Sequence, residues 1–122
     1  MSETAGGIYL SLQRVSGVTI LRAHGLVNAA SAGSLREKVT TAVDRGARRI
    51  VVDISNLEIV DSAGILALLD CERHARQHQG RLVLGAVPQD VVDVLCETGA
   101  HRVLLCFRTT QGALDRLYQG VA

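Results

Sequence analysis

The stretch IVVDISNLEIVDSAGILALL, residues 50–69, decides the fold. Ile50 to Ile54 is an apolar run broken only by Asp53, and its β-branched content reads as a strand buried on both faces. A second apolar run starts at Ile65 and follows the helical period, predicting a helix from about Ser62 to Gln79 with Gly80 as its stop. Between the two runs lie Asn56, Glu58 and Asp61, then Ser62-Ala63-Gly64, which reads as an acidic loop turning into a helix. A strand, a loop and a helix in this order are half of a βαβ unit.

Working outward, the same alternation continues. Upstream, Ile8, Leu10 and Leu12 alternate with other residues, Ser16-Gly17 marks a turn, and Val18 and Ile20 restart an apolar pattern. Residues 8–14 and 17–23 therefore read as a hairpin. From Asn28 the period changes, and Ala32, Leu35, Val39 and Ala42 or Val43 share one helical face up to Gly46. Downstream, Arg81 to Ala86 reads as a short strand, and Pro88 suits the first turn of a third helix closed by Gly99. Val103 to Phe107 reads as a last strand, and Thr109 or Thr110 as the cap of a final helix ending near Tyr118. The predicted order is ββαβαβαβα: a single α/β domain, with a mixed, mostly parallel sheet, an N-terminal hairpin and about four helices.

Length and composition fit one domain, residues 8–119, behind a small polar tail at 1–7. The 122 residues are 48% hydrophobic and 20% charged, with a net charge of +1. That balance gives no electrostatic field for nucleic acid or for an anionic membrane. Aromatics are 2% and Trp is absent, so there is no stacking platform for single-stranded nucleic acid. No apolar stretch is long enough to span a bilayer, and MSETAGG lacks the pattern of a signal peptide. Three widely spaced cysteines, Cys71, Cys96 and Cys106, suit reduced thiols better than a disulfide framework. A cytoplasmic protein is expected.

Ser62 carries the central question. As the residue where the loop becomes a helix, it reads first as an N-cap whose oxygen accepts an orphan backbone N–H. The same position suits a phosphate, because a helix N-terminus favours negative charge. A phosphoserine there adds roughly −1.5 to −2 charge to an already acidic loop. Catalytic readings fare worse. A serine-hydrolase elbow needs Gly two residues before the serine, and Val60 stands there. A phospho-accepting aspartate at Asp53 needs an acidic pair near the first strand and a late lysine, and the one lysine is Lys38. A glycine-rich phosphate loop ending in Gly-Lys is absent. No nucleophile–base pair, ligand set or cofactor site is visible, so no enzyme is expected.

On these residues the chain resembles the STAS domain proteins known as anti-sigma factor antagonists. VVDISNLEIVDSAGILALL is similar to their signature segment, with Asp53, Asp61, Ser62 and Gly64 matching directly. HGLVNAAS, GRLVLGAVPQDVVDVLCETGA and TTQGAL are similar to flanking family segments, so the resemblance covers roughly Ile8 to Leu117. It implies a regulator that binds an anti-sigma factor, often itself a serine kinase, and so releases a sigma factor. Phosphorylation of the serine matching Ser62 would end the binding, and a serine phosphatase would restore it. Asn28, Asn56, Glu58, Asp61, Ser62, Ala63 and Gly64 would border the partner surface. One departure stands out: the family's Gly-x-Leu-Asp segment puts aspartate where this chain has Asn28. Asn keeps the shape and the capping ability but loses the charge. It would either ease repulsion with a phosphate or mark a chain that no longer cycles through a kinase. The alternative function is a STAS scaffold without phosphorylation, in a signalling or transport complex.

Other residues have plainer readings. Cys71, His74 and His78 have metal-ligand spacing on one helix, but Cys71 shares its face with Leu68 and Ala75 and reads as core. The histidines then line a solvated flank, and no metal site is expected. Cys96 and Cys106 read as apolar thiols before redox sensors. Arg48, Arg49, Arg73 and Arg76 read as surface charges.

Overall fold

The computed structural model describes residues 8–59 and 61–119. The expected tail at 1–7 lies outside them. The chain forms β1 (Ile8–Val15), β2 (Val18–Val27), α1 (Ala32–Asp44), β3 (Arg49–Ile59), α2 (Ser62–Gln77), β4 (Arg81–Gly85), α3 (Gln89–Thr98), a 3-10 turn at Ala100–Arg102, and α4 (Thr110–Gln119). The sheet order is β1-β2-β3-β4, with β1 antiparallel to β2 and the other pairs parallel. Ser16 and Gly17 both have positive φ, at 50° and 86°, as a tight hairpin turn requires.

The apolar run in β3 has the expected cause. Ile50, Val52 and Ile54 enter the main core with Leu35, Val39, Leu68 and Ala75 from α1 and α2. Val51 points to the other face, where Val18, Ile20 and Val83 meet Ala113, Leu114 and Leu117 of α4. Both faces are covered, so polar alternation is lost.

Three local expectations change. First, Asn56 and Glu58 are not in a loop. β3 continues to Ile59, pairing His24 with Asn56 and Val27 with Ile59 beyond a register shift between Arg22 and His24. Ile54 and Ser55 there oppose a single residue of β2, a β-bulge. Asp53 stabilises it by accepting from the Ser55 N–H at 2.9 Å and the Ser55 hydroxyl at 2.8 Å. Its other oxygen accepts from Thr110 Oγ1 at 3.1 Å, which ties β3 to the start of α4.

Second, Val103–Phe107 is reduced to a single parallel bridge between Cys106 and Leu84. Leu84 N donates to Leu105 O at 2.8 Å and Phe107 N donates to Leu84 O at 2.9 Å, so the segment still fills the last β position. The 3-10 turn uses the residues just before it, leaving too little extended chain for a ladder.

Third, α2 stops before Gly80. Gln79 adopts the left-handed conformation at φ 64°. Gly80 serves a close approach instead: a β-carbon on it would stand 2.6 Å from Arg48 O. Gly46 and Gly99 end α1 and α3 as expected, at φ 111° and 81°.

Candidate functional site

The parallel strands β2 and β3 end side by side, since Val27 pairs with Ile59. The turn after β2 begins at Asn28, and the turn after β3 leads into Asp61 and α2. Gly64 packs its Cα against Val27 and Ile59, so the first turn of α2 rests on both strand ends. The topology therefore brings Asn28 and Asp61–Gly64 to one edge of the sheet, at the carboxyl ends of the parallel strands. Ligands of α/β sheets characteristically bind at such ends. Asn56 and Glu58 are exposed on the extension of β3 rather than in the turn.

Asp61, not Ser62, caps α2. Its carboxylate accepts the Ala63 N–H at 3.0 Å, and its backbone is extended, as an N-cap requires. Both residue types cap well, and the helix begins one residue earlier than the cap reading of Ser62 assumed. The correction matters chemically. Ser62 becomes the first helical residue, exposed, and among the described residues no hydrogen bond engages its hydroxyl.

The other Ser-Ala-Gly, residues 31–33, behaves in the opposite way. Ser31 is buried; its hydroxyl donates to Leu26 O at 2.8 Å and accepts from Asn28 N at 3.0 Å. Asn28 in turn accepts the Ala30 and Ser31 N–H groups at 2.9 and 3.1 Å. Asn28 thus closes the turn ahead of α1 rather than capping the helix itself.

Sequence reasoning missed what lies beside Ser62. A groove of about 670 Å³ runs between α2 and α3, lined by Ile59, Ser62, Leu66, Leu69, Val94 and Val103 among others. Leu66 is 58% exposed, and Val94 and Val103 are also open to solvent. Leu66 and Val94 fall off the buried stripes of their helices. That was the available signal, but it is divided between two elements. Among the described residues, Asp61 and Asp90 are the acidic groups of the lining.

A second cleft, of about 790 Å³, lies at the opposite end of the sheet and collects Arg14, Arg48, Arg49, Arg81 and Arg116. Of the arginines read as surface charges, only Arg48 and Arg49 belong to it. Arg73 faces Asp70 at 3.9 Å and Arg76 pairs with Glu72 at 3.0 Å. Cys71 is core, and burial pushes its thiol up to about 12. Burial, with Cys96 adding to it, raises Cys106 to about 11. Neither thiol is a nucleophile at neutral pH.

Residues 9–113 match the STAS domain family, and the chain belongs to it. A curated relative, BtrV of Bordetella bronchiseptica, is named for a proposed anti-sigma factor antagonist role. It is 35% identical over 85 residues, covering 70% of this chain and 73% of BtrV. An anti-sigma factor antagonist from Mycobacterium paratuberculosis superposes with a TM-score of 0.79 at 19% identity, covering 95% of this chain and 99% of that one. The anti-sigma factor antagonist SpoIIAA, solved unphosphorylated, gives a TM-score of 0.72 at 24% identity over 91% of this chain and 97% of its own. Bacillus SpoIIAA in its phosphorylated form gives 0.66 at 23% identity, over 89% of this chain and 99% of that one. At these identities the solved structures speak for the fold. No helix among the described residues is long and apolar enough to cross a membrane.

Proposed function

We propose that this chain is an anti-sigma factor antagonist that binds an anti-sigma factor, of the serine-kinase type, and is switched off by phosphorylation of Ser62. The observation that carries this reading is the exposed Ser62 hydroxyl on the rim of an apolar groove, with no hydrogen bond to it among the described residues. The name of BtrV and the two solved forms of SpoIIAA support the same class of role.

The physics of the switch follows from that placement. An open apolar groove gains free energy when a partner covers it, roughly 25 cal/mol per Å² of apolar surface removed from water. A phosphate on Ser62 would place about −1.5 to −2 charge on its rim. Covering that charge without a paired cation costs several kcal/mol, enough to cancel the apolar gain of a small interface. The positive end of the α2 dipole favours the phosphate within the free protein, while the Asp61 carboxylate one residue away opposes it. Asn28, lacking the family's charge, leaves one carboxylate fewer at this edge. The role is binding rather than catalysis, and ATP would belong to the kinase.

The test combines phosphopeptide mapping with binding. Protein recovered from its own cells should carry phosphate on Ser62 in a fraction of molecules, and Ser62→Asp should lose the kinase-type partner that Ser62→Ala retains. An unmodified Ser62 in growth and stress alike, with equal binding by both variants, would point instead to the unphosphorylated scaffold.

A further inference from the structure

We propose that the C-terminal ends of α1 and α2 form a surface site for a divalent transition metal of the zinc class, held by Asp44, His74 and His78. His74 lies in the last turn of α2, and His78, four residues on, is the residue just past the end of that helix. Cys71, which shares their spacing, is sealed in the core with its thiol protonated and cannot join them. The third ligand comes from the other helix. Asp44, the last residue of α1, brings Oδ1 to 2.8 Å from His74 Nε2 and 3.9 Å from His78 Nε2. One donor atom from each of the three residues lies within 4.8 Å of the other two.

One surrounding hydrogen bond orients the His78 donor. His78 Nδ1 stands 2.9 Å from His74 O. A carbonyl only accepts, so Nδ1 donates this bond and Nε2 is the ring nitrogen left to face a metal. That is the same outer support that fixes metal-bound imidazoles elsewhere. The two rings lie 4.5 Å apart between centroids and are tilted by 41°. In a tetrahedral zinc site with bonds near 2.0–2.2 Å, neighbouring ligand atoms are about 3.3 Å apart. The 2.8 and 3.9 Å spacings to Asp44 bracket that value, so small side-chain rotations suffice. The ion would sit between His74 Nε2 and Asp44 Oδ1, replacing their direct 2.8 Å contact, with water completing its shell on the exposed side.

Two imidazoles and one carboxylate select zinc, nickel or copper over magnesium and calcium, which prefer all-oxygen shells. The site would clamp α1 to α2. About 18 Å of helix axis separates it from Ser62, so it does not overlap the groove.

Zinc chloride alone, titrated into the purified full chain, tests this by calorimetry and thermal unfolding. The expected result is binding with one-to-one stoichiometry, a raised Tm and no competition from magnesium. A His74→Ala/His78→Ala double variant should bind roughly tenfold more weakly or worse. Asp44→Asn, which preserves shape, should weaken binding as well. A Cys96→Ser/Cys106→Ser variant should bind like the original chain. Unchanged affinity in the histidine variant, loss only in the cysteine variant, or no binding with zinc in large excess would each overturn the assignment.

Discussion

Gly64 lies so close to Ile59 that a β-carbon on it would stand 2.8 Å from Ile59 Cγ2 and 3.1 Å from Val27 Cγ1. The motif's glycine is therefore a packing requirement: it lets α2 settle on the ends of β2 and β3 and fixes where Ser62 is presented. Gly64→Ala gains at most about 1 kcal/mol of helix propensity. Against this stands overpacking of two branched side chains, worth about 1–3 kcal/mol. We expect a net loss of about 1 kcal/mol in urea unfolding, with faster amide exchange confined to the first turn of α2.

Asp61 contributes to stability through its bond to the Ala63 N–H, and to specificity through its charge. Asp61→Ala should cost about 0.5–2 kcal/mol, and Asp61→Asn much less, because Asn caps nearly as well. The pair separates the two roles. If Asp61→Asn keeps its Tm yet changes partner affinity, the charge itself is being read.

Arg49 and Arg81 are in register on neighbouring parallel strands. They line the arginine cleft with Arg14, Arg48 and Arg116, and among the described residues none of the five forms an ion pair. Like charges directly opposite on a sheet are unfavourable by a few tenths of a kcal/mol. Arg81→Glu should therefore stabilise the fold by about 0.5 kcal/mol at low ionic strength. Raising salt to about 1 M, where the screening length falls to roughly 3 Å, should erase most of the gain. Thermal unfolding at two salt concentrations measures it.

The cysteines should differ sharply in reactivity. Cys96 is exposed, whereas Cys71 is buried and raised from its ordinary 9.0 to about 12. Iodoacetamide at neutral pH should label Cys96 first and leave Cys71 untouched until the chain unfolds. The sign of the pH effect is fixed by the raised value. The unfolded thiol ionises near 9 and the folded one only near 12, so this contribution is complete below pH 9 and is lost as pH climbs toward 12. Stability of Cys71→Ala relative to the original chain should accordingly improve between pH 9 and 11.

The β3 run was legible because burial on both faces leaves an unbroken apolar pattern, and α1 and α2 because each keeps one apolar stripe. The extension of β3 to Ile59 was not. Ser55-Asn56 looks like a polar break, and only the Asp53–Ser55 contacts reveal a bulge. The last β segment has strand composition, but the 3-10 turn before it takes up the chain. At the candidate site, Ser62 and Gly64 were legible through a local motif. Asp44 beside His74 was not, because thirty residues separate them and periodicity says nothing about which helix end a neighbour reaches.

The two Ser-Ala-Gly triplets carry one further consequence. An enzyme reading only that short sequence would meet two equivalent hydroxyls in the unfolded chain, but in the native protein Ser31 is sealed beneath its turn and Ser62 stands free. The fold itself thus acts as a filter on a shared local code. A modified Ser31 would be a record of a molecule caught before it finished folding, and the ratio of the two marks a gauge of folding quality inside the cell.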